Sequence, residues 1–368
     1  MKRILILSDI NSSHTQKWCA SLAQSGFHIG IFSLSFPTVK WYESFENVSV
    51  FCPVSFEEET FRSSSFSKLK YLKAVLPLKK VIRKFSPDIV HAHYATSYGI
   101  IGALAGFHPY FISAWGSDLM DFPYRNSINS KLIKYIFSKA DRVLATSKTL
   151  AGHAEKFSSK KIDILPFGVD TNKFKPVKVE NIFKIDCVVI GAVKSLEQIY
   201  GIDILIKAFA KLNSKYWQKN LRLLLVGSGS KEADYKQLVK DLKIQEQTFF
   251  AGRIPHNELY KYYNMIDIFV NASHNESFGV SVLEASACEK PVVLTSVGGL
   301  IEVAEEMVTG MFIDPGNAEA LENTLEKLIA DEGLRLTLGA NGRKKVQQEY
   351  EFNDCLAKQI EIYESSVK

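Results

Sequence analysis

The chain has 368 residues, of which 46% are hydrophobic and 23% charged, which allows two domains with buried cores and excludes a disordered protein. Its five cysteines are scattered and contain no C-x-x-C pair, which argues for a reducing compartment and against a disulfide framework or a structural zinc site. The net charge of +5 is uneven: residues 1–170 carry 21 Lys/Arg and 13 Asp/Glu, and the remainder carries 24 and 27. This asymmetry predicts different partners for the two halves.

The first apolar run, residues 4–7, is too short for the apolar region of a secretory signal and predicts a buried strand. No run approaches the roughly 18 apolar residues that span a bilayer. We therefore expect a cytoplasmic protein, with peripheral attachment to the inner face of the plasma membrane as a further option.

Short apolar runs alternate with helical stretches along the first half. Strands are predicted at 4–7, 28–32, 88–93, 110–114 and 142–146, and helices at 15–25, 68–85, 98–106 and 128–139. Nearly continuous apolar runs are typical of strands that helices cover on both faces. The alternation predicts βαβ units and a parallel sheet.

The segment from Pro166 to Asp170 predicts a domain boundary, because the alternation restarts after it. Strands are predicted at 186–190, 221–226, 247–251, 266–270 and 291–294, and helices at 202–211, 233–241, 257–263, 281–288 and 318–328. We expect two doubly wound, Rossmann-like α/β domains that face a central cleft, at 1–170 and 171–350. A helix over 351–368 is expected to pack back toward the first domain.

A candidate ligand segment runs from Ser273 to Ala285, where a strand ends, a polar loop follows and a helix begins near Gly279. The free N–H groups of a helix start favour anions such as phosphate. Glu276 in the loop and Glu284 in the helix are suited to accept hydrogen bonds from sugar hydroxyls. The spacing of the two glutamates carries little weight without its surroundings.

Those surroundings resemble a known family. Phe250-Ala251-Gly252-Arg253-Ile254-Pro255, Glu276-Ser277-Phe278-Gly279, Leu283-Glu284-Ala285 and Val297-Gly298-Gly299 resemble the GT4 family of retaining glycosyltransferases. Ser12-Ser13-His14-Thr15, Trp115-Gly116-Ser117-Asp118 and Pro166-Phe167-Gly168-Val169-Asp170 extend the similarity over nearly the whole chain. The resemblance implies the GT-B fold and a nucleotide-sugar donor.

The resemblance also implies roles in donor binding. Glu276 would hold hydroxyls of the transferred sugar, and Glu284 those of the ribose. Further donor contacts would come from backbone and glycine-rich positions at Ser277, Phe278, Gly279, Arg253, Ile254, Gly227, Gly298 and Gly299. The Gly227-Ser228-Gly229 turn is not a phosphate-binding P-loop, because no Gly-Lys-Ser/Thr follows it.

The diphosphate half of the expected site departs from the family pattern. Many members carry an Arg and a Lys in the segment that corresponds to residues 191–201, but here Ala192 stands at the arginine position and Tyr200 precedes the closing Gly201. Lys194 is the single cation of this segment. We predict that Lys194 neutralises the leaving group; a solvated lysine is the alternative. Arg253 or the helix start near Gly298 is a candidate for the second positive charge.

In the first half, Trp115 stands where many members have a histidine. Indole only donates hydrogen bonds, so Trp115 cannot replace acid–base chemistry, although it can stack on a sugar. Asp118 is predicted as a catalytic or acceptor-contacting residue, with loop orientation or capping as alternatives. His14 and His93 are candidates for lining the acceptor side of the site. The alternatives are that His14 is an ordinary residue at a helix start and that His93 is a packed strand residue.

We expect no cofactor and no metal. His91 and His93 share a strand face, but no third ligand is evident, and the chain has no Asp-x-Asp motif. The family instead balances the charge of the departing diphosphate with cations and helix dipoles.

Residues 62–84 form a basic segment with eight Lys or Arg residues, no acidic residue and interleaved apolar positions. This pattern predicts contact with an anionic membrane, and an ordinary surface helix is the alternative. Nucleic acid is not expected, because no recognition motif accompanies the charge.

The sequence therefore predicts a metal-independent hexosyltransferase. It would move a sugar from a nucleotide-sugar, with UDP favoured, to a saccharide or lipid-linked saccharide in surface glycan synthesis, including polysaccharide and lipopolysaccharide. Two alternatives stay open: a GT-B epimerase that acts on a nucleotide-sugar without an acceptor, and a sugar-nucleotide-binding subunit that has lost activity.

Overall fold

A computed structural model describes residues 2–53 and 71–366. The chain divides into two compact units, one formed by residues 1–167 together with 354–368 and the other by residues 168–353. Each unit has one parallel sheet whose central strands are buried.

The sheet of the first unit has seven parallel strands in the order β3-β2-β1-β4-β5-β6-β7. Its strands are β1 (Arg3–Leu7), β2 (His28–Phe32), β3 (Val48–Phe51), β4 (Ile89–His93), β5 (Tyr110–Ala114), β6 (Arg142–Ala145) and β7 (Ile162–Ile164). The described helices of this unit are α1 (Ser13–Gln24), α2 (Val75–Phe85), α3 (Tyr98–Ala105), α4 (Ser117–Met120), α5 (Ser127–Lys139) and α6 (Lys148–Glu155). The last helix of the chain, α14 (Phe352–Glu364), belongs to the same unit over most of its length.

The sheet of the second unit has six parallel strands in the order β10-β9-β8-β11-β12-β13. Its strands are β8 (Val188–Val193), β9 (Leu221–Val226), β10 (Thr248–Gly252), β11 (Ile268–Asn271), β12 (Val292–Thr295) and β13 (Gly310–Ile313). Its helices are α7 (Ile202–Lys215), α8 (Glu232–Asp241), α9 (Leu259–Met265), α10 (Val280–Ala287), α11 (Leu300–Val303), α12 (Ala318–Ala330) and α13 (Glu332–Glu349).

The strand order reverses once in each sheet, between β1 and β4 and between β8 and β11. In doubly wound sheets the loops beyond the carboxyl ends of the strands at such a reversal are the usual place for a ligand. Two candidate regions follow from topology alone, one in each unit.

The structure corrects several predicted elements. Strands β3, β7 and β13 and helices α6 and α13 were not predicted. β3 is only partly buried and β7 has three residues, so neither gives a strong apolar run. Strand β8 was predicted to end at residue 190, but it continues through Val193, so Ala192 is a buried strand residue and the loop begins at Lys194.

The predicted helix over 68–85 begins later than expected. Residues 68–70 lie outside the described part of the chain, residues 71–74 form a 3₁₀ turn, and α2 starts at Val75. Pro77 therefore sits in the first turn, where a missing N–H costs no intrahelical hydrogen bond. Proline does not interrupt the helix here.

Candidate functional site

Lys194 and Glu276 meet at the strand-order reversal of the second sheet. Lys194 follows β8, and Glu276 lies in the loop after the neighbouring strand β11. The Nζ atom of Lys194 donates to Oε2 of Glu276, and the two side chains are 18% and 12% exposed. A cation and a carboxylate separated by 82 residues thus form a largely buried ion pair where a ligand is expected.

Tyr200 is the second contact of Lys194. The ammonium lies 4.5 Å from the centroid of the Tyr200 ring, a distance at which a cation is attracted to an aromatic face. The sequence predicted no role for Tyr200, which precedes Gly201 in a segment that departs from the family pattern. Its place in the same short loop as Lys194 was the available signal.

Two glycines hold the loop of Lys194 against its neighbours. A Cβ atom on Gly227 would lie 1.9 Å from the carbonyl oxygen of Lys194, and Gly227 has φ +140°. A Cβ atom on Gly229 would lie 2.4 Å from the carbonyl oxygen of Leu196. These close approaches show that Gly227 positions the Lys194 loop, a role that the sequence did not predict.

The loop of Glu276 is fixed by polar contacts to adjacent strand ends. Asn271 Oδ1 accepts from the backbone N–H and the hydroxyl of Ser273 at 3.2 and 2.5 Å. Thr295 at the end of β12 donates its hydroxyl to the Ser273 carbonyl at 2.6 Å. The Gly299 N–H donates to the carbonyl oxygen of Glu276 at 2.9 Å. The loop is therefore set by β11 and β12 together.

A helix begins directly after this loop, as predicted from Gly279. Gly279 precedes α10 with φ +104°, a conformation that favours glycine. Phe278 is buried and packs against Tyr350, so it contributes backbone groups and not a side-chain surface. Ser277 donates its N–H to the Glu276 carboxylate at 3.2 Å.

Glu284 lies inside α10 and is nearly buried, with 6% of its side chain exposed. Its Oε2 accepts from the Tyr263 hydroxyl at 2.7 Å, and its Oε1 lies 2.7 Å from Nε2 of His256. Burial and the Glu284 carboxylate raise the pKa of Tyr263 well above its ordinary value, so the hydroxyl stays a donor. The sequence identified Glu284 but assigned no role to His256 or Tyr263.

The remaining donor-side positions lie at other carboxyl strand ends of the second sheet. Arg253 is exposed and follows β10 directly, with Ile254 half-buried beside it. Gly298 has φ +49°, and a Cβ atom on Gly299 would lie 2.3 Å from the Ser277 carbonyl oxygen. The assignment of the second positive charge to Arg253 or to the helix start near Gly298 stays a prediction.

In the first unit, His14, His93 and Trp115 form one aromatic group with Phe167. The rings of His14 and Phe167 stack with centroids 4.0 Å apart, and those of His93 and Trp115 lie 4.4 Å apart. Trp115 meets Phe167 edge to face at 5.2 Å. His14 lies in the first turn of α1, which follows β1, while His93 and Trp115 lie at the carboxyl ends of β4 and β5. Phe167 belongs to the boundary segment from Pro166 to Asp170. Phe167 was not among the predicted site residues.

His93 and His91 are buried on one face of β4. His93 Nδ1 lies 3.1 Å from the Ser8 hydroxyl, and His91 contacts the Tyr363 hydroxyl at 2.6 Å and the Ser113 hydroxyl at 2.8 Å. Burial lowers the pKa of His91 to about 3 and lowers that of His93 well below its ordinary value. Within residues 2–53 and 71–366, no three His, Cys, Asp or Glu side chains gather as metal ligands would.

Asp118 is buried and its carboxylate accepts three backbone hydrogen bonds. Oδ2 accepts from Ala95 N–H at 2.7 Å, and Oδ1 accepts from Gly116 and Trp115 N–H at 2.8 and 3.3 Å. Burial raises the pKa of Asp118, and these donors oppose the rise. The contacts match the loop-orienting alternative and tie the backbone of Trp115 to that of Ala95.

Two sequence-family models match the chain, one in each half. The model described as glycosyl transferase 4-like matches residues 3–147, and the model described as glycosyl transferases group 1 matches residues 178–345. The chain belongs to the group 1 glycosyltransferases. The family assigned from the sequence is confirmed at this level.

Relatives and solved structures agree with the family. This glycosyltransferase is 32% identical over 225 residues to the capsular polysaccharide biosynthesis glycosyltransferase CapM of Staphylococcus aureus, covering 61% of this chain and 56% of CapM. Sucrose-phosphate synthase of Thermosynechococcus elongatus superposes with a TM-score of 0.85 at 22% identity, over 99% of both chains. HepE of Anabaena, in complex with UDP-glucose, superposes with a TM-score of 0.78 at 19% identity, over 99% of this chain and 100% of HepE. The predicted GT-B fold is confirmed.

Proposed function

We propose that this chain is a retaining, GT4-type hexosyltransferase that uses a nucleotide-sugar, with a UDP-sugar favoured. Its acceptor would be a saccharide or lipid-linked saccharide in surface glycan synthesis. The pairing of Lys194 with Glu276 at the strand-order reversal carries the proposal. One side chain suits the charge of a diphosphate, and the other accepts from sugar hydroxyls.

The donor would lie across the loops that follow β8, β11 and β12. Lys194 neutralises negative charge that grows on the departing diphosphate, and preorganised charge of this kind is a large contribution to catalysis. The start of α10 at Gly279 offers backbone N–H groups to a phosphate. Glu284, held by Tyr263 and His256, presents its remaining lone pairs to the ribose hydroxyls.

The UDP preference rests on similarity. HepE is described in complex with UDP-glucose, and the two chains share the fold over nearly their full length. Similarity to CapM supports an acceptor in surface polysaccharide synthesis. The sucrose-phosphate synthase relationship supports the fold and leaves the acceptor open.

The first unit supports a mechanism without a protein general base. Trp115 has no basic nitrogen to offer, and the Asp118 carboxylate is engaged by three backbone donors. His93 is buried with a lowered pKa, so it is neutral at pH 7. We propose front-face attack by the acceptor, with the donor phosphate taking the acceptor proton, and with no metal ion.

Helix α2 supports peripheral membrane attachment on the cytoplasmic side. Leu76 in α2 and Leu72 in the 3₁₀ turn before it are 70% and 44% exposed, and Lys73, Lys80 and Arg83 are also exposed. The rest of the basic segment, residues 62–70, lies outside the described residues. Of the helices that are described, none combines the length and apolar character needed to cross a bilayer.

Acceptor-dependent release of the nucleoside diphosphate tests the proposal. A panel of UDP-, GDP-, ADP- and dTDP-sugars in a thermal-shift assay first selects the donor, because a ligand that binds only the folded state raises the unfolding temperature. Release of UDP only when a saccharide acceptor is present, with retained anomeric configuration, is expected. Sugar inversion without acceptor would favour the epimerase, and tight donor binding without turnover would favour the inactive subunit.

A further inference from the structure

The ion pair of Lys194 and Glu276 occupies both charges that the proposed donor needs. Each side chain is more than four-fifths buried, and the ammonium is also held over the ring of Tyr200. Lys194 is the single Lys or Arg among residues 191–201. In the ligand-free protein the cation for the diphosphate is therefore already neutralised by the carboxylate for the sugar.

A ligand that binds here has to break the ion pair and offer each side chain a new partner. A complete nucleotide-sugar offers a phosphate to Lys194 and hydroxyls to Glu276, so both side chains regain a partner. A nucleoside diphosphate without the sugar offers only the phosphate. It would leave the Glu276 carboxylate largely buried without its cation, and an unpaired buried charge is costly.

We propose that Glu276 is a specificity-determining residue that occupies Lys194 until a sugar-bearing donor replaces it. The site then discriminates against the nucleoside diphosphate that transfer leaves behind, which weakens product inhibition. This inference rests on the proposed function and adds to the hydroxyl-binding role of Glu276. The discrimination arises from the cost of removing a counter-ion and needs no clash with the product.

The experiment measures dissociation constants of UDP and UDP-glucose by calorimetry. Glu276→Gln keeps the shape of the side chain and removes its charge, which releases Lys194 for phosphate. We expect UDP to bind about fivefold more tightly to Glu276→Gln than to the wild type, the upper end of the scale for an ion pair that keeps some contact with solvent. UDP-glucose should gain nothing or bind more weakly, so the preference for UDP-glucose over UDP falls.

Glu322→Gln is the matched control, because it removes the same charge from the same unit. Glu322 is 19% exposed and pairs with Lys211 on helices away from the loops of the site. UDP affinity should not change in this variant. In a Lys194→Gln background, Glu276→Gln should no longer tighten UDP binding, since its effect acts through Lys194.

Any of three results would overturn the inference while the proposed function stands. The first two are equal UDP affinity of the wild type and Glu276→Gln, and an equal gain in Glu322→Gln. The third is a gain that persists without Lys194. Failure of UDP, GDP, ADP and dTDP and of their sugar conjugates to bind the folded wild type would contradict the proposed function, and this inference with it.

Discussion

At the scale of single residues, the two glutamates of the donor segment have different surroundings. Glu276 is paired with a cation and lies in a loop, so a ligand can replace its partner. Glu284 is buried in a helix between a tyrosine hydroxyl and a histidine, so its orientation is fixed before a ligand arrives. The first is suited to exchange and the second to rigid recognition.

Replacement of Glu276 by alanine should lower transfer by about 10²-fold or more, the scale of losing one preorganised polar contact in a transition state. The measurement is the initial rate of sugar transfer with the selected donor and a saccharide acceptor. Glu322 lies away from the site loops, so the control variant Glu322→Ala should keep the wild-type rate. Full activity of Glu276→Ala would contradict the assignment of this residue.

A second residue-scale prediction concerns His91 and pH. Its pKa is about 3 in the folded protein against an ordinary value of 6.5, because burial disfavours the charged ring. The unfolded chain therefore binds the proton more readily between these values. The contribution of uncharged His91 to the free energy of unfolding is fully present above pH 6.5. It is lost as the pH falls toward 3, by at most about 1.4 kcal/mol per pH unit.

Thermal unfolding at pH 7, 6 and 5 measures this effect. His91→Gln should be less stable than the wild type at pH 7 but should lose less stability on acidification. His274 is exposed, so the control variant His274→Gln should lose stability with falling pH as steeply as the wild type. The same slope in His91→Gln and in the wild type would rule out His91 as the titrating group.

At the scale of elements, helix α2 presents two surfaces. Leu78, Val81 and Phe85 are buried against the first sheet, while Leu76 is 70% exposed among basic residues. Buried residues at this spacing belong to an ordinary amphipathic helix. The exposed leucine beside a basic face is what distinguishes α2 from a purely structural helix.

Anionic liposomes test this surface. The wild type should co-sediment with vesicles that contain an anionic lipid and not with neutral ones, and binding should fall with salt, because each basic residue near an anionic surface contributes about 1 kcal/mol. Leu76→Ser should weaken the binding. Leu336→Ser is the matched control, since Leu336 is 66% exposed on α13 in the other unit. Equal, negligible binding to both vesicle types would refute the membrane contact.

At the scale of the whole molecule, the chain ends in the unit where it began. Within the second unit, the segments that enter and leave it lie side by side: Val169 N–H donates to Tyr350 O at 2.8 Å, and Phe352 N–H donates to Val169 O at 3.0 Å. Helix α14 then places the buried Tyr363 against His91 in the first unit. The stability of the first unit therefore depends on residues near the end of the sequence.

Removal of residues 354–368 should destabilise the first unit and leave the second unit unchanged. The loss includes the burial of Tyr363, which contributes about 1.5–3 kcal/mol for a large apolar side chain. Calorimetry should show the transition of one unit shifted to lower temperature. Tyr363→Phe, which removes only the hydrogen bond to His91, should cost about 1 kcal/mol. If the truncation shifts the unfolding temperatures of both units equally, or shifts neither, this division of the chain is contradicted.

The sequence by itself determined the fold class, the family and most buried strands, because apolar runs between helical stretches are local patterns that record burial on both faces of a sheet. The GT-B glycosyltransferase family was identified from short blocks of residues, because each block is contiguous in the sequence and needs no tertiary contact to be recognised. Short or half-buried elements such as β3 and β7 were missed, because they give weak local signals.

Only the tertiary structure decided the partners of the site residues. Lys194 and Glu276 are 82 positions apart, and Glu284 meets Tyr263 across 21. No periodicity encodes these pairs, because they form where strands that are distant in sequence end side by side at one sheet edge. The same holds for Tyr363, whose contact with His91 joins the last helix to the first sheet across 272 positions.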